Sequence, residues 1–305
     1  MDPRNLIIIG GGPSALTAAI YAGRAQLQPL VFAGNTPGGQ LMLTSEVENF
    51  PGFDEPVLGP TLMERWRGQA ARYGAELVDE EVTAVNFSSR PFRVTAAGTV
   101  HEARAVIIAT GATAKWLGVP NEQRLIGKGV HTCAQCDGFS YAGKHVVVVG
   151  GGDTAMEETT TLAKIAAKVT VVHRRSELRA SKIMAERTLA NPKVEFIWNT
   201  VVEDILGQDR VNGVRLKHIE TNEVREFPTD GLFVAIGYTP ATTFLQGKIA
   251  LNTKGYIEVH DHTRTNIGGV FAAGDVEDYR YRQAVTAAGA GCMAAIDAER
   301  WLAEQ

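Results

Sequence analysis

The chain is poor in cysteine, in aromatic residues and in excess positive charge, and each shortage excludes something. Three cysteines in 305 residues cannot staple a secreted scaffold. Thirty Lys and Arg against 34 Asp and Glu leave a net charge of −4, which gives no field to hold a nucleic acid. No apolar run reaches the roughly 18 residues of a membrane helix. The apolar segment after Arg4 breaks into Gly10-Gly11-Gly12 within a few residues and follows no basic leader of any length, so it is not read as a signal-peptide core. A second C-x-x-C and a His-x-x-x-His are also missing, so a closed zinc site has too few ligands and no metal is expected. Together these features predict a reducing, cytoplasmic setting. The length exceeds what one core usually organises, and two domains are expected.

Two of the three cysteines stand together, in His131-Thr132-Cys133-Ala134-Gln135-Cys136-Asp137-Gly138. Residues three apart lie on one face of a helical turn, within the short reach a disulfide needs. A thiolate must attack and a departing sulfur must be protonated, so Asp137 is read as the acid that serves the pair. In a reducing compartment a C-x-x-C is catalytic sooner than structural. The third, Cys292, lies among small apolar residues of a C-terminal helix, Ala287 to Met293, and is read as a buried core cysteine.

What the chain has in quantity is glycine, 32 residues, much of it in turns. The run Leu6-Ile7-Ile8-Ile9 reads as a strand, Gly10-Gly11-Gly12-Pro13-Ser14-Ala15 as a turn, and Leu16 through Ala25 as a helix. This is the dinucleotide fingerprint. Its first glycine makes the turn, its second admits a pyrophosphate to the backbone, the small third residue lets helix and strand pack, and helix amides hold the phosphates. About twenty residues on, where NAD sites carry an acid, the chain reads Phe32-Ala33-Gly34-Asn35, so FAD is the better occupant. Gln40 and Asn49 sit on the glycine-rich loops Pro37–Leu41 and Glu48–Gly52, either as partners of an isoalloxazine or as ordinary turn residues.

The fingerprint occurs again as Gly150-Gly151-Gly152-Asp153-Thr154-Ala155, after the strand His145–Val149 and before a helix carrying Glu157 and Glu158. Here the next strand, Val169–Val172, ends in His173-Arg174-Arg175 with Arg179 close behind, and arginines at that place suit a 2′-phosphate through bidentate, charge-assisted bonds. NADPH is the predicted ligand. Near the end, Gly268–Val276 is a strand delivering Asp275 at its carboxyl edge, followed by Tyr281-Arg282-Gln283-Ala284 and the small-residue helix. Because the FAD-like fingerprint opens the chain and this aspartate closes it, the FAD domain is expected to be discontinuous, 1–114 and 243–305, with an NADPH domain carrying the C-x-x-C, 115–242, inserted. The predicted class is α/β with two Rossmann-like dinucleotide-binding domains, joined by a double linker that lets one turn on the other.

With these motifs in order (GGGPSA, GGQL, ENFPG, CAQCDG, GGGDTAMEE, HRRSELR, GLFVAIG, FAAGDV, YRQA), the chain closely resembles the bacterial-type, low-molecular-weight thioredoxin reductases from Leu6 to about Leu302. The resemblance implies that Cys136 faces the flavin, that Cys133 attacks thioredoxin and that Asp137 moves the proton. It implies FAD contacts at Gly11, Gly12, Pro13, Ser14, Gln40, Asn49, Val82, Asp275, Arg282, Gln283 and Ala284, beside the turn glycine Gly10. For NADPH it implies Gly151, Asp153, Thr154, Glu157, His173, Arg174, Arg175 and Arg179. It also implies a homodimer. Two departures are GGGPSA where the family often has GSGPAG, and Gln135 where a smaller residue is common between the cysteines. Other disulfide partners, glutaredoxin-like, peroxiredoxin-linked or a small dithiol, and a flavin redox sensor without turnover are the rival readings. Flavoproteins that reduce ferredoxin lack the C-x-x-C.

Overall fold

The structure, a computed structural model, describes residues 2–44 and 46–305. The chain divides into two compact units, one formed by Met1–Thr113 with Thr239–Gln305 and the other by Ala114–Tyr238. Unit one opens with β1 (Arg4–Ile9), α1 (Pro13–Arg24), β2 (Leu30–Phe32), α2 (Gly59–Arg72), β3 (Glu76–Val78), β4 (Val82–Asn86), β5 (Phe92–Ala96), β6 (Thr99–Ile108) and β7 (Ala112–Ala114). Unit two carries α3 (Glu122–Leu125), β8 (Val130–His131), α4 (Ala134–Asp137), β9 (His145–Val149), α5 (Asp153–Ile165), β10 (Lys168–Val172), α6 (Lys182–Leu189), β11 (Val194–Ile197), β12 (Thr200–Leu206), β13 (Gly213–His218), β14 (Val224–Pro228) and β15 (Gly231–Val234). The chain returns through β16 (Tyr238–Pro240) and ends with β17 (Val270–Ala272) and α7 (Ala284–Ala303).

In unit one the described strands form a sheet in the order β3-β2-β1-β6-β5-β4, with β17 also paired to β6. The pairings among β3, β2, β1, β6 and β17 are parallel, and β6, β5 and β4 are antiparallel. Continuous aliphatic strands are what a sheet covered on both faces requires. Accordingly Leu6 and Ile8 point into a core with α1 and α7, while Ile7 and Ile9 point into a second core with Phe32, Phe92 and Val94, and all are buried. The small-residue helix has a packing reason. A side chain at Gly291 would strike the Ser14 carbonyl of α1, so glycine there lets the two helices cross in close contact.

Unit two repeats the plan. Its parallel sheet runs β11-β10-β9-β15-β8, and β12-β13-β14 forms an antiparallel meander. The valines of β9 and β10 alternate between a core under α5, which takes Val146, Val148, Val169 and Val171, and one under the meander, which takes Val147, Val149 and Val172. At about 1.5–3 kcal/mol per fully buried aliphatic side chain, such strands dominate the stability of each unit.

Two expectations change. Pro37–Leu41 is not wholly irregular, because Gly38 and Gly39, both at positive φ, turn the chain into a 3-10 helix over Gly39–Leu43. Cys292 is partly exposed, not buried. The buried stripe of α7 runs through Ala287, Ala290, Gly291, Ala294, Ala295, Ala298 and Leu302, and position 292 falls beside it.

Candidate active site

The cysteine pair grows from the end of a strand. Edge strand β8 lies parallel to β15 with His131 opposite Phe233. The chain leaves it at Thr132, whose carbonyl accepts from the Tyr238 hydroxyl at 3.0 Å, and turns at once into the four-residue helix α4. Cys133 and Cys136 are joined in a disulfide with their Cα atoms 5.3 Å apart. Cys133 is the N-cap of α4, and its sulfur accepts from the Cys136 amide at 3.1 Å. The Glu158 carboxylate on α5 accepts from the Ala134 amide and so braces the turn from the neighbouring helix. Gln135 and Cys136 are exposed, and Cys133 and Asp137 are partly buried.

Behind the pair lies a small polar chain. His131 Nδ1 is 3.3 Å from Asp137 Oδ1, and His131 Nε2 is hydrogen-bonded to the Tyr141 hydroxyl at 2.8 Å. The imidazole packs on Phe233 with ring centres 5.3 Å apart. Burial, and then the charge of Asp137, push the Tyr141 hydroxyl up to about 12 against the opposing pull of Arg210. It therefore stays a phenol at any physiological pH.

The first glycine turn is shaped as a cradle. A side chain at Gly10, where φ is +136°, would strike the Ala109 carbonyl, and one at Gly11 would strike that of Ala33. At Gly12 nothing lies within 4 Å, so the space over the N-terminus of α1 is open. That open space beside the first-turn amides of α1 that follow Pro13 is what a pyrophosphate needs, so the residues fit FAD. Ser14 is buried and its hydroxyl donates to the Ala273 carbonyl at 2.8 Å, tying α1 to the segment after β17. Asn49 donates to Gln283 Oε1 at 3.2 Å, Gln40 is exposed, and Val82 is buried. Arg282 takes a left-handed φ of 49° immediately before Gln283, the N-cap of α7, which forms a capping box with Thr286. Burial, then the charge of Asp278, push the Asp275 carboxyl up to about 7, with Arg282 pulling the other way. Beyond the end of β2, Asn35 donates to the carboxylate of Glu81, which directly precedes β4, at 2.8 Å.

The second turn has the same design. A side chain at Gly150 would strike the Ala235 carbonyl, one at Gly151 would strike the His173 ring, and at Gly152 the space is open. Asp153 Oδ1 accepts from the Ser181 amide at 2.7 Å, while Thr154 and Glu157 lie on the first turns of α5. His173 is buried and its Nε2 has no hydrogen-bond partner. Burial first, and then Arg179, Arg175 and Arg174, hold its ring below the ordinary histidine range, against a hydrogen bond with the Glu177 backbone. The three arginines are exposed, and none forms an ion pair among the described residues. An orphaned imidazole nitrogen in the field of three exposed guanidiniums fits a phosphate, as the 2′-phosphate of NADPH would supply.

Two dinucleotide cradles and a redox-poised cysteine pair define a class. Residues 4–291 match the profile of the pyridine nucleotide-disulphide oxidoreductases, and the chain belongs to that family. It is 52% identical to the thioredoxin reductase of Streptomyces coelicolor, over 99% of this chain and 95% of that one. It is 50% identical to the bifunctional thioredoxin reductase/thioredoxin of Mycobacterium leprae, over 98% of this chain and 66% of that one. The solved thioredoxin reductase from Giardia duodenalis matches with a TM-score of 0.95 at 44% identity, over 99% of this chain and all of the other. Within the class, the chain is a member of the thioredoxin reductase family, enzymes that use FAD and NADPH.

His131, Tyr141 and Glu158 are contacts around the cysteine turn that sequence patterns did not assign. Only Glu158 had a signal, as the second of two acids on the helix behind a glycine turn.

Proposed function

We propose that this chain is an NADPH-dependent thioredoxin-disulfide reductase, working as a homodimer in the cytoplasm. The observation that carries the reading is the Cys133–Cys136 disulfide with an amide already directed at Cys133 Sγ. Unit one is the FAD-binding part, through Gly10 to Ser14, Gln40, Asn49, Val82, Asp275 and Arg282 to Ala284. Unit two is the NADPH-binding part, through Gly151, Asp153, Thr154, Glu157, His173, Arg174, Arg175 and Arg179. When bound, the two cofactors supply the hydride and electron transfer that open the disulfide.

In the dithiol the Cys136 amide favours the thiolate on Cys133, because a donor stabilises the charged form. Cys133 Sγ attacks one sulfur of thioredoxin's disulfide, that bond breaks, and the departing sulfur takes a proton. Cys136 then gives its proton to Asp137 and attacks Cys133 Sγ, which re-forms the disulfide and expels the second thioredoxin sulfur, to which Asp137 passes that proton. Cys133 thiolate and Cys136 thiol are oxidised to the disulfide and thioredoxin's disulfide is reduced to two thiols, one product proton coming from Cys136 by way of Asp137 and the other from water. The bifunctional relative supports thioredoxin as the partner, since its name joins both proteins in one chain. Exposed Tyr21, Val285 and Met293 on α1 and α7 support a face for a second copy. Among the described residues no helix is long and apolar enough to cross a membrane.

The test is NADPH-dependent reduction of thioredoxin by the purified flavoprotein, followed with a thiol reagent and repeated with NADH. Fast turnover confined to NADPH supports the reading. Flavin reduction without thioredoxin turnover overturns the partner and leaves the cofactor assignments.

A further inference from the structure

Asp137 alone is a short carboxylate on a four-residue helix, with its side chain 22% exposed. Nothing on α4 itself would keep it aimed. The group that faces it is His131, whose side chain is 9% exposed and held on three sides. The β8–β15 register sets it over Phe233, Tyr141 packs edge-on to its ring, and the Tyr141 hydroxyl bonds Nε2. Tyr141 can come so close because residue 231 is glycine, where any side chain would strike the tyrosine ring. A Tyr141 hydroxyl that donates to Nε2 leaves the imidazole hydrogen on Nδ1, and Nδ1 is the nitrogen 3.3 Å from Asp137 Oδ1.

We propose that His131 is a positioning residue for proton transfer at the dithiol, holding Asp137 oriented with an Nδ1–H whose tautomer Tyr141 sets. The inference rests on the reading that Asp137 receives the Cys136 proton. Three described elements meet the imidazole. From α4 it meets Asp137, from the 3-10 turn that follows it meets Tyr141, and from β15 it meets Phe233. Arg210 and Asp230 act on Tyr141, and Glu158 is engaged by the Ala134 amide. Among the described residues Asp137 is thus the one carboxylate in contact with the ring, and His131 its one basic neighbour on these elements.

The consequence is a displaced pH dependence. A carboxylate that loses a hydrogen-bond donor keeps its proton to higher pH, so His131→Phe moves the acid limb of thioredoxin turnover upward by about one pH unit. It also slows turnover at neutral pH by about tenfold, below the full contribution of a positioned acid–base group because Asp137 itself remains. His131→Asn puts an amide N–H near the place of Nδ1 and is expected to bring the limb back. Tyr141→Phe frees the tautomer and is expected to shift the limb partway.

The experiment has two readouts on the flavin-loaded protein, with flavin content and circular dichroism checking the fold. One is the pH profile of thioredoxin turnover. The other is the pH profile of alkylation of Cys133 and Cys136 by iodoacetamide after chemical reduction, resolved by mass spectrometry. Upward limbs in His131→Phe, restored in His131→Asn, support the proposal. Wild-type limbs in His131→Phe overturn it, as does a shift that His131→Asn fails to restore, which would mark a structural role only. If His131→Phe does not fold, an unshifted limb in Tyr141→Phe overturns the proposal. Alkylation needs no thioredoxin, so it tests the role of His131 even if thioredoxin proves not to be the partner.

Discussion

Replacing Arg174 and Arg175 together by alanine is expected to weaken NADPH greatly and NADH hardly at all. Both side chains are exposed, their charges act on the His173 ring, and they form no ion pair among the described residues. A hydrogen bond to a charged group contributes about 1.5–3 kcal/mol net, and exposure to solvent and salt keeps each at the lower end. Losing two costs about 3 kcal/mol, on the order of a hundredfold in affinity. Arg179 and the His173 ring remain, so binding is reduced without being abolished. The assay is calorimetric titration of the flavoprotein with NADP⁺ and NAD⁺, the oxidised forms being used so that no turnover intervenes. Raising the salt should shrink the difference between wild type and variant for NADP⁺. An equal loss for both nucleotides would refute the reasoning, because the arginines would then be reading something common to the two.

Three further expectations follow from the same geometry. Cys136→Ser should keep its yellow colour and NADPH-driven flavin reduction and lose disulfide reduction, and retained turnover in a thiol assay would contradict its role. Gly12→Ala introduces a methyl that meets no protein atom within 4 Å at an ordinary φ, so thermal unfolding should change by no more than about 0.5 kcal/mol while the flavin content of the purified protein falls. Normal flavin content would mean that the open space is not a pyrophosphate cradle. His173 is held below the ordinary histidine range, so without ligand the fold loses stability as pH drops below about 6.5, the native state binding the proton less readily than the unfolded chain. A phosphate at Nε2 reverses that preference. The affinity for NADP⁺ should therefore rise relative to NAD⁺ as pH falls through the histidine range, and in His173→Gln the part of that rise due to the ring should vanish.

The parts legible in the sequence are those whose cause is local. The two glycine turns could be read because a strand, a tight turn and a helix must follow one another within a dozen residues, and Gly10 and Gly150 both adopt positive φ beside a carbonyl that leaves no room for a side chain. The cysteine pair could be read because three-residue spacing alone brings two Cα atoms within disulfide reach. The repeat of the fingerprint with arginines downstream separated one cradle from the other. Cys292 could not be placed in this way, since small apolar neighbours say that a helix packs closely but not which side faces its partner. The Asn35–Glu81 pair was equally hidden, because Glu81 reaches the end of β2 only through the parallel pairing of β2 with β3.

By itself the sequence determined the α/β class, the two cradles and the redox pair, all properties of short segments whose backbone geometry their own residues dictate. Only the tertiary structure decided what surrounds the pair. His131 meets Phe233 through the β8–β15 register, Tyr141 reaches His131 across the space left by Gly231, and Glu158 caps the dithiol turn from a separate helix. These contacts join residues ten to about a hundred positions apart, and such distances close only when sheet order and helix packing bring the segments together.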